Sequence, residues 1–271
     1  MDASPATRPL AVVTGASSGI GLELARQFAE HDFDLIITAE DAELADAQRD
    51  LATSGAAVEA VQADLTSPAG VEELHRRIVA DGRPVEAICL NAGIGMGGAF
   101  ATQTDLEQEL AIVDLNVRST VHLTKLVIGD MVARDRGRIL FTSSIASTMP
   151  GPFQAVYNAS KSFVQSFALA LRNELKDTQV TVTSLMPGPT DTEFFERADM
   201  EDTKIGSGSK DDAADVAQMG FEALMNGEER VVAASLSTKL QGRGSRFMPD
   251  SMKSAMHRRM AEPGSGSDDD E

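Results

Sequence analysis

Tyr157 and Lys161 stand four residues apart in a stretch, Ala155 to Lys176, whose apolar residues recur at helical spacing with no internal Gly or Pro. Their side chains therefore share one helix face. A free phenol has a pKa of about 10 and transfers protons poorly at neutral pH, but a neighbouring ammonium favours the phenolate and lowers that pKa. The pair is suited to proton transfer, and Tyr157 is the only tyrosine in the chain. A Tyr and a Lys at this spacing also occur as an ordinary surface pair, so the weight comes from a second motif far upstream.

That motif is Thr14-Gly15-Ala16-Ser17-Ser18-Gly19-Ile20-Gly21. It follows the apolar run Leu10 to Val13 and leads into Leu22-Glu23-Leu24-Ala25-Arg26-Gln27-Phe28, which has helical periodicity, so it reads as strand, turn and helix. Glycines at 15, 19 and 21 can bend the chain, let backbone approach a pyrophosphate and keep the helix close to the sheet, and the helix N-terminus then offers N–H groups to phosphate. A Gly-rich turn can equally be no more than a tight connection. A nucleotide cradle together with a proton-transfer pair points to a redox enzyme.

These residues need elements to hold them. Strands are predicted near residues 10–14, 34–38, 57–63, 86–91, 137–143, 180–186 and 230–234, with helical patterns between them. The alternation predicts an α/β fold, a Rossmann-type doubly wound parallel sheet in a single domain. The expected organisation is an N-terminal extension (1–9), a dinucleotide-binding catalytic domain (10–248), a C-terminal helix (249–262) and a disordered acidic tail (263–271). Gly137 to Thr142 reads as a buried strand delivering Ser143 and Ser144 at its carboxyl end, where ligands bind in open α/β sheets. Cys89 lies inside the apolar run Ala87 to Leu90 and reads as a buried strand residue.

The ordered set of motifs resembles the short-chain dehydrogenase/reductase family from about Leu10 to Val232. Its glycine turn matches residues 14–21, its adenine-contacting Asp-Leu matches Asp64-Leu65, and its Asn-Ala-Gly after the fourth strand matches Asn91-Ala92-Gly93. The resemblance implies catalytic roles for Asn116, Ser144, Tyr157 and Lys161. Ser144 is selected over Ser143 by its place thirteen residues before the tyrosine. It implies a cofactor site built from Thr14, Gly15, Ser17, Ser18, Gly19, Ile20, Gly21, Asp64, Leu65, Asn91, Ala92, Gly93, Tyr157, Lys161, Pro187, Gly188 and Thr192. Leu90, where many members carry a second Asn, departs from the pattern. The implied reaction is hydride transfer between a nicotinamide and a carbinol carbon, with Tyr157 moving the proton, Ser144 positioning the oxygen, Lys161 also binding the nicotinamide ribose, and Asn116 holding a water that links Lys161 to solvent. The resemblance also implies a homodimer or homotetramer packed through the segments 106–134 and 155–176.

Cofactor choice turns on the end of the second strand, where an acid binds a free ribose 2′-OH and a base accepts a 2′-phosphate. Thr38-Ala39-Glu40-Asp41 places Glu40 there, and no basic residue occurs inside the glycine turn. NAD(H) is expected over NADP(H), although Glu40 and Asp41 could instead simply open the next helix. Substrate contacts are expected from segments over the cofactor, which contribute Met96, Phe100, Met149, Phe153, Phe194, Phe195 and Met200. An apolar set of this kind fits a hydrophobic or moderately polar ketone or secondary alcohol, unless these residues are core beneath a lid. Thr203 to Asp212 is the expected mobile lid.

The chain has 42 acidic and 24 basic residues and a net charge of −18, which disfavours nucleic acid and anionic membrane as partners. No apolar run is long enough for a bilayer and Met1 to Pro9 lacks a secretory signal core, so a cytoplasmic protein is expected. Basic residues cluster late, at Lys239, Arg243, Arg246, Lys253, Arg258 and Arg259, and Met252, Met256 and Met260 could form the apolar side of a helix docked on the protein itself. Four scattered histidines show no metal-ligand spacing. Two other function classes compete. Gly15-Ala16-Ser17-Ser18-Gly19 satisfies the Gly-x-Ser-x-Gly elbow of an α/β-hydrolase with Ser17 as nucleophile and His257 as base. A non-catalytic dinucleotide sensor would bind cofactor without using Tyr157.

Overall fold

The computed structural model describes residues 8–233 and 248–267. Lys239, Arg243 and Arg246 of the basic cluster, residues 1–7 of the extension and 268–271 of the tail lie outside the described residues. Seven strands form one parallel sheet: β1 (Leu10–Thr14), β2 (Asp34–Ala39), β3 (Val58–Gln62), β4 (Val85–Leu90), β5 (Gly137–Thr142), β6 (Val180–Pro187) and β7 (Arg230–Ala233). Their order is β3-β2-β1-β4-β5-β6-β7, so the winding reverses between β1 and β4. That reversal opens a crevice at the strand carboxyl ends, where a doubly wound sheet binds ligand.

The central strands β1, β2 and β4 are buried almost throughout because both faces are covered, whereas the edge strands β3 and β7 are only partly buried. On one face α1 (Gly19–Glu30), α2 (Leu44–Leu51) and α9 (Ala213–Met225) enclose a core that includes Val13, Leu24, Phe28, Ile37, Cys89 and Phe221. On the other, α3 (Pro68–Asp81), α5 (Thr120–Ala133) and α6 (Ala155–Glu174) enclose Val12, Leu74, Ile88, Leu123, Ile139 and Phe141. Burial pushes the Cys89 thiol pKa up, which keeps it protonated and inert.

Register aligns the carboxyl ends: Thr14 pairs with Thr38, Leu90 with Phe141, Thr142 with Leu185 and Pro187 with Ala233. The tips are also tied across the reversal point. Thr14 Oγ1 accepts the backbone N–H groups of Asn91 and Ala92, both at 3.0 Å, and donates to Cys89 O at 3.3 Å. Asn91 Nδ2 donates to Thr14 O at 3.1 Å, while its Oδ1 accepts from Thr142 Oγ1 at 3.0 Å. Side chains thus bind β1, β4 and β5 together just beneath the crevice.

The segment 106–134 is not one regular helix. It comprises α4 (Leu106–Ile112), a π turn (Val113–Ser119) and α5, and Asn116 lies within the turn. Wider i→i+5 turns recur at functional sites, and hydrophobic periodicity alone gave no sign of this one. Beyond β6 come two short helices, α7 (Phe194–Arg197) and α8 (Lys204–Ser207), with α10 (Asp250–Ala261) following later in the chain. The expected lid is pinned at both ends. Thr203, buried, caps α8 through Gly206 N, and Asp211 exchanges backbone bonds with Pro189 O and Asp191 N at 2.8 Å. The tail expected to be disordered from Pro263 is instead held as far as it is described: Gly264 N donates to Asp202 Oδ2 and Gly266 N to Asp202 O, both at 2.8 Å. Among the described residues no helix is long and apolar enough to cross a membrane.

Candidate active site

A cavity of about 470 Å³ runs along the strand tips from the end of β2 to α10. This size is within the range of small-molecule and cofactor sites. It is lined by all but five of the residues singled out in the sequence. Thr14 lies below it as the strut already described, and Asn116 frames it from behind. Phe100 is exposed, Met200 is fully buried outside it, and Phe153 packs toward α7 and α10 with Arg258 at 5.0 Å over its ring.

At the β1 end the chain turns through Gly15 at φ +65°, a conformation that favours glycine. A Cβ on Gly15 would lie 2.9 Å from Ala92 Cα, and one on Gly21 would lie 1.9 Å from Gly15 O. The turn is thus folded on itself so tightly that only hydrogen fits. The first-turn N–H groups of α1, like those of any helix, have no intrahelical acceptor, and Ser18 at the N-cap supplies no side-chain acceptor for them. These features fit a dinucleotide, with the pyrophosphate against the start of α1. Asp64 and Leu65 line the cavity near Ala39, Glu40 and Asp41. Asp41, read in the sequence only as a residue that could open the next helix, accepts a 2.8 Å hydrogen bond from Ser17 Oγ, and its Oδ1 is buried without a partner. Ser17 therefore has a carboxylate for its neighbour, while His257 is engaged elsewhere with Pro152 O and Asn158. The hydrolase arrangement is not assembled.

The proton-transfer residues converge at the tip of β5. Ser143, almost completely buried, donates through Oγ to Lys161 O at 3.0 Å, a backbone tie. Ser144, one step on, shares a hydrogen bond with the Tyr157 hydroxyl and accepts Ala146 N at 3.1 Å. Both Tyr157 and Lys161 come from the first turns of α6, and Lys161 Nζ donates to Thr142 O at 2.9 Å and sits 5.8 Å from the Tyr157 ring centroid. Gly93 makes room for this: a Cβ there would come within 3.1 Å of both Lys161 Nζ and Asn116 Oδ1.

Asn116 secures the arrangement. Its Oδ1 accepts Ile94 N at 3.0 Å, and its Nδ2 donates to Ile94 O and to Ser160 Oγ, each at 2.9 Å. Ser160 in turn donates to Tyr157 O at 2.7 Å. Both amide protons are committed to protein, leaving only oxygen lone-pair capacity for anything else. Ser160 is thus the link that carries Asn116 to the tyrosine's own turn.

Burial dominates the electrostatics. It pushes the Tyr157 phenol up to about 12 against the opposing hydrogen bond from Ser144, and it pushes Lys161 down to about 8. The expectation that the ammonium draws the phenol pKa down is not met by these two side chains alone, because desolvation disfavours both charged forms. Lys161 titrates at 10.5 when exposed, so its folded form pays for holding the charge: the penalty is complete below pH 8 and vanishes as pH rises from 8 to 10.5. Lys161→Met should therefore stabilise the fold at pH 7 by up to about 3 kcal/mol, less about 1 kcal/mol for the orphaned Thr142 carbonyl. Thermal unfolding from pH 7 to 10 checks this: the variant should melt several degrees higher at pH 7, and its advantage should shrink above pH 8.

A profile of the short-chain dehydrogenase family matches residues 9–203. An NADP-dependent 3-hydroxy acid dehydrogenase of Salmonella typhi is 34% identical over 179 residues, covering 66% of this chain and 71% of the relative. A short-chain dehydrogenase from Sphingobium yanoikuyae in complex with NADPH superposes with a TM-score of 0.77 at 28% identity, over 89% of this chain and 96% of that one. A relative from Burkholderia phymatum in complex with NAD reaches 0.78 at 24% identity, over 87% and 92% of the two chains, a likeness of fold. With the glycine turn, the crevice at the β1/β4 reversal and these matches together, the chain belongs to the short-chain dehydrogenase/reductase family, oxidoreductases that work with a nicotinamide cofactor.

Proposed function

We propose that the protein interconverts an uncharged ketone and its secondary alcohol, with Tyr157 as general acid and base. The observation that carries this reading is the Ser144–Tyr157–Lys161 cluster opening onto an apolar chamber. Met96, Ile145, Met149, Phe194, Phe195 and Ile205 line that end. Phe194 lies against the Tyr157 ring, 5.2 Å between centroids. Glu193 and Arg197 line the cavity too, but they are half-exposed and paired with each other, and burial holds His257 below its ordinary pKa. Apart from Lys161, whose Nζ is bonded to Thr142 O beside the phenol, the described lining residues include no lysine or arginine without an acidic partner for a substrate carboxylate, in contrast to what a 3-hydroxy acid would need.

The nicotinamide, when bound, supplies or accepts the hydride. Tyr157 transfers the proton to or from the substrate oxygen, and Ser144, hydrogen-bonded to the phenol, holds that oxygen in line. Lys161 adds a donor beside the phenol, and its charged form lowers the cost of the phenolate. Lys161, Pro187, Gly188 and Thr192 would hold the nicotinamide end, Asp64 and Leu65 the adenine. Glu40 and Asp41 support NAD(H), since a doubly charged 2′-phosphate would meet two carboxylates. Relatives divide on this point, as the NADPH and NAD complexes show for their own chains.

Turnover of a panel of neutral ketones, 3-hydroxy acids and secondary alcohols, followed at the nicotinamide absorbance with NAD(H) and NADP(H) in parallel, tests the reading. Reduction of neutral ketones with NADH is expected. Activity confined to 3-hydroxy acids would remove the substrate assignment, and preference for NADPH the cofactor assignment. Leu106, Leu110, Val113, Val121 and Phe163 are exposed on α4, the π turn, α5 and α6, and we assign this face to a homodimer or homotetramer. A monomeric mass in light scattering would remove that assignment.

A further inference from the structure

The sequence gives α10 no role beyond docking, and its expected methionine face is not what the structure buries. Met252 is 54% exposed, whereas His257 and Ala261 are at 2% and 0%. Ala261 packs with Phe195, Ala198 and Met200 in a small cluster separate from the two sheet cores. His257 and Met260 reach further and line the same cavity as Tyr157.

His257 occupies a definite hydrogen-bonding position. Its Nδ1 lies 3.2 Å from Pro152 O, a carbonyl that can only accept, so Nδ1 carries the proton and Nε2 is left as an acceptor. Asn158 Nδ2 faces Nε2 at 3.4 Å. The same amide group donates to Ala146 O at 3.2 Å and Met149 O at 3.3 Å, and Gly151 is pressed so close to it that a Cβ there would fall 2.1 Å from Asn158 Cγ. Asn158 is the residue after Tyr157 on α6. The imidazole thus joins α10 to the loop that follows Ser144 and to the helix that carries the tyrosine.

We propose that α10 is a wall of the substrate chamber, in which Met260 limits the size of the ketone's second substituent and His257 positions the 145–153 loop against α6. The inference rests on the neutral-ketone reading above and extends it to a part of the chain outside residues 9–203, the portion matched to the family. Met260 is a flexible thioether on the cavity surface, so shortening it enlarges the chamber and replacing it with Phe fills it. His257 contacts the loop backbone instead, so its loss loosens Met149 and its neighbours without removing a proton carrier.

The test uses the full chain and a series of phenyl ketones from acetophenone to benzophenone. Met260→Ala should raise the benzophenone-to-acetophenone ratio of kcat/KM by at least roughly tenfold, the low end of what one methylene's worth of contact in an apolar pocket supplies, and Met260→Phe should lower it. His257→Ala should raise KM several-fold with kcat nearly unchanged. His257→Asn, which can still donate near the Nδ1 position, should recover most of the loss. NADH fluorescence titration should give the same cofactor affinity in every variant. An unchanged ketone ratio in an active Met260→Ala enzyme overturns the wall while leaving the ketone reading intact, whereas a wild-type enzyme inert toward every ketone overturns both. Amide hydrogen exchange over 145–153 gives the positioning role a readout free of turnover. It should accelerate in His257→Ala and return toward wild type in His257→Asn, and unchanged exchange would overturn that role.

Discussion

Tyr157→Phe is expected to lower kcat by roughly a thousandfold or more, the upper part of the range for loss of a general acid or base, while the affinity for NADH stays within about twofold. The ring remains to pack against Phe194 and to fill its place beside Ser144, so only the hydroxyl is lost. A rise in KM with kcat unchanged would show instead that the hydroxyl mattered for ground-state binding. Single-turnover reduction measured beside NADH fluorescence titration separates the two. Retention of full turnover would remove Tyr157 as the proton carrier, whereas a wild type that binds NADH but turns over no substrate would return the protein to the class of dinucleotide sensors. Because burial raises the phenol to about 12, the oxidation rate in the wild type should climb as pH rises toward that value, with Tyr157 entering its phenolate form.

The second large effect is expected at Gly21. An added methyl would sit 1.9 Å from Gly15 O and 2.5 Å from Asn91 Nδ2, and neither of those atoms is free to yield. The carbonyl belongs to the tight turn, and the amide is bonded to Thr14 O. Gly21→Ala should cost about 3 kcal/mol or more of stability and weaken NADH binding by at least roughly a hundredfold, since turn and strut must both shift. Denaturant unfolding with and without NADH checks both parts. By contrast, alanine at Gly129 or at Gly82, where nothing lies within 4 Å, tests crowding as the cause; Gly82 adds the strain of φ +77°, which leaves Gly129 as the cleaner control.

The strands were legible because a doubly wound sheet buries both faces of its central strands, so each appears as an apolar run bounded by turn residues. The glycine turn and the Tyr-Lys pair were legible for another reason: each is a local pattern whose spacing sets its own geometry. What escaped depended on contacts distant in sequence. The π turn around Asn116 changes helical phase without changing composition. Phe153 adopts φ +65° and turns toward α10, and no neighbour in sequence announces that. Asp41 gained a place through Ser17, 24 residues away, and His257 through Pro152, 105 residues away. The apolar spacing of Met252, Met256 and Met260 correctly suggested a docked helix but placed the buried face slightly off: Met252 is exposed and Met260 reaches the cavity, while full burial falls to His257 against Pro152 and Asn158 and to Ala261 against Phe195, Ala198 and Met200.

The side-chain bonds of Thr14, Asn91 and Thr142 bear on how a ligand gets in. They cross-brace β1, β4 and β5 at their tips, so the floor of the crevice cannot spread to admit a dinucleotide. Opposite this floor stand the 189–207 stretch and the α10 residues that pack on it. A floor braced in this way leaves little ordering to be done there when a ligand binds, so the ordering cost falls on the opposite wall.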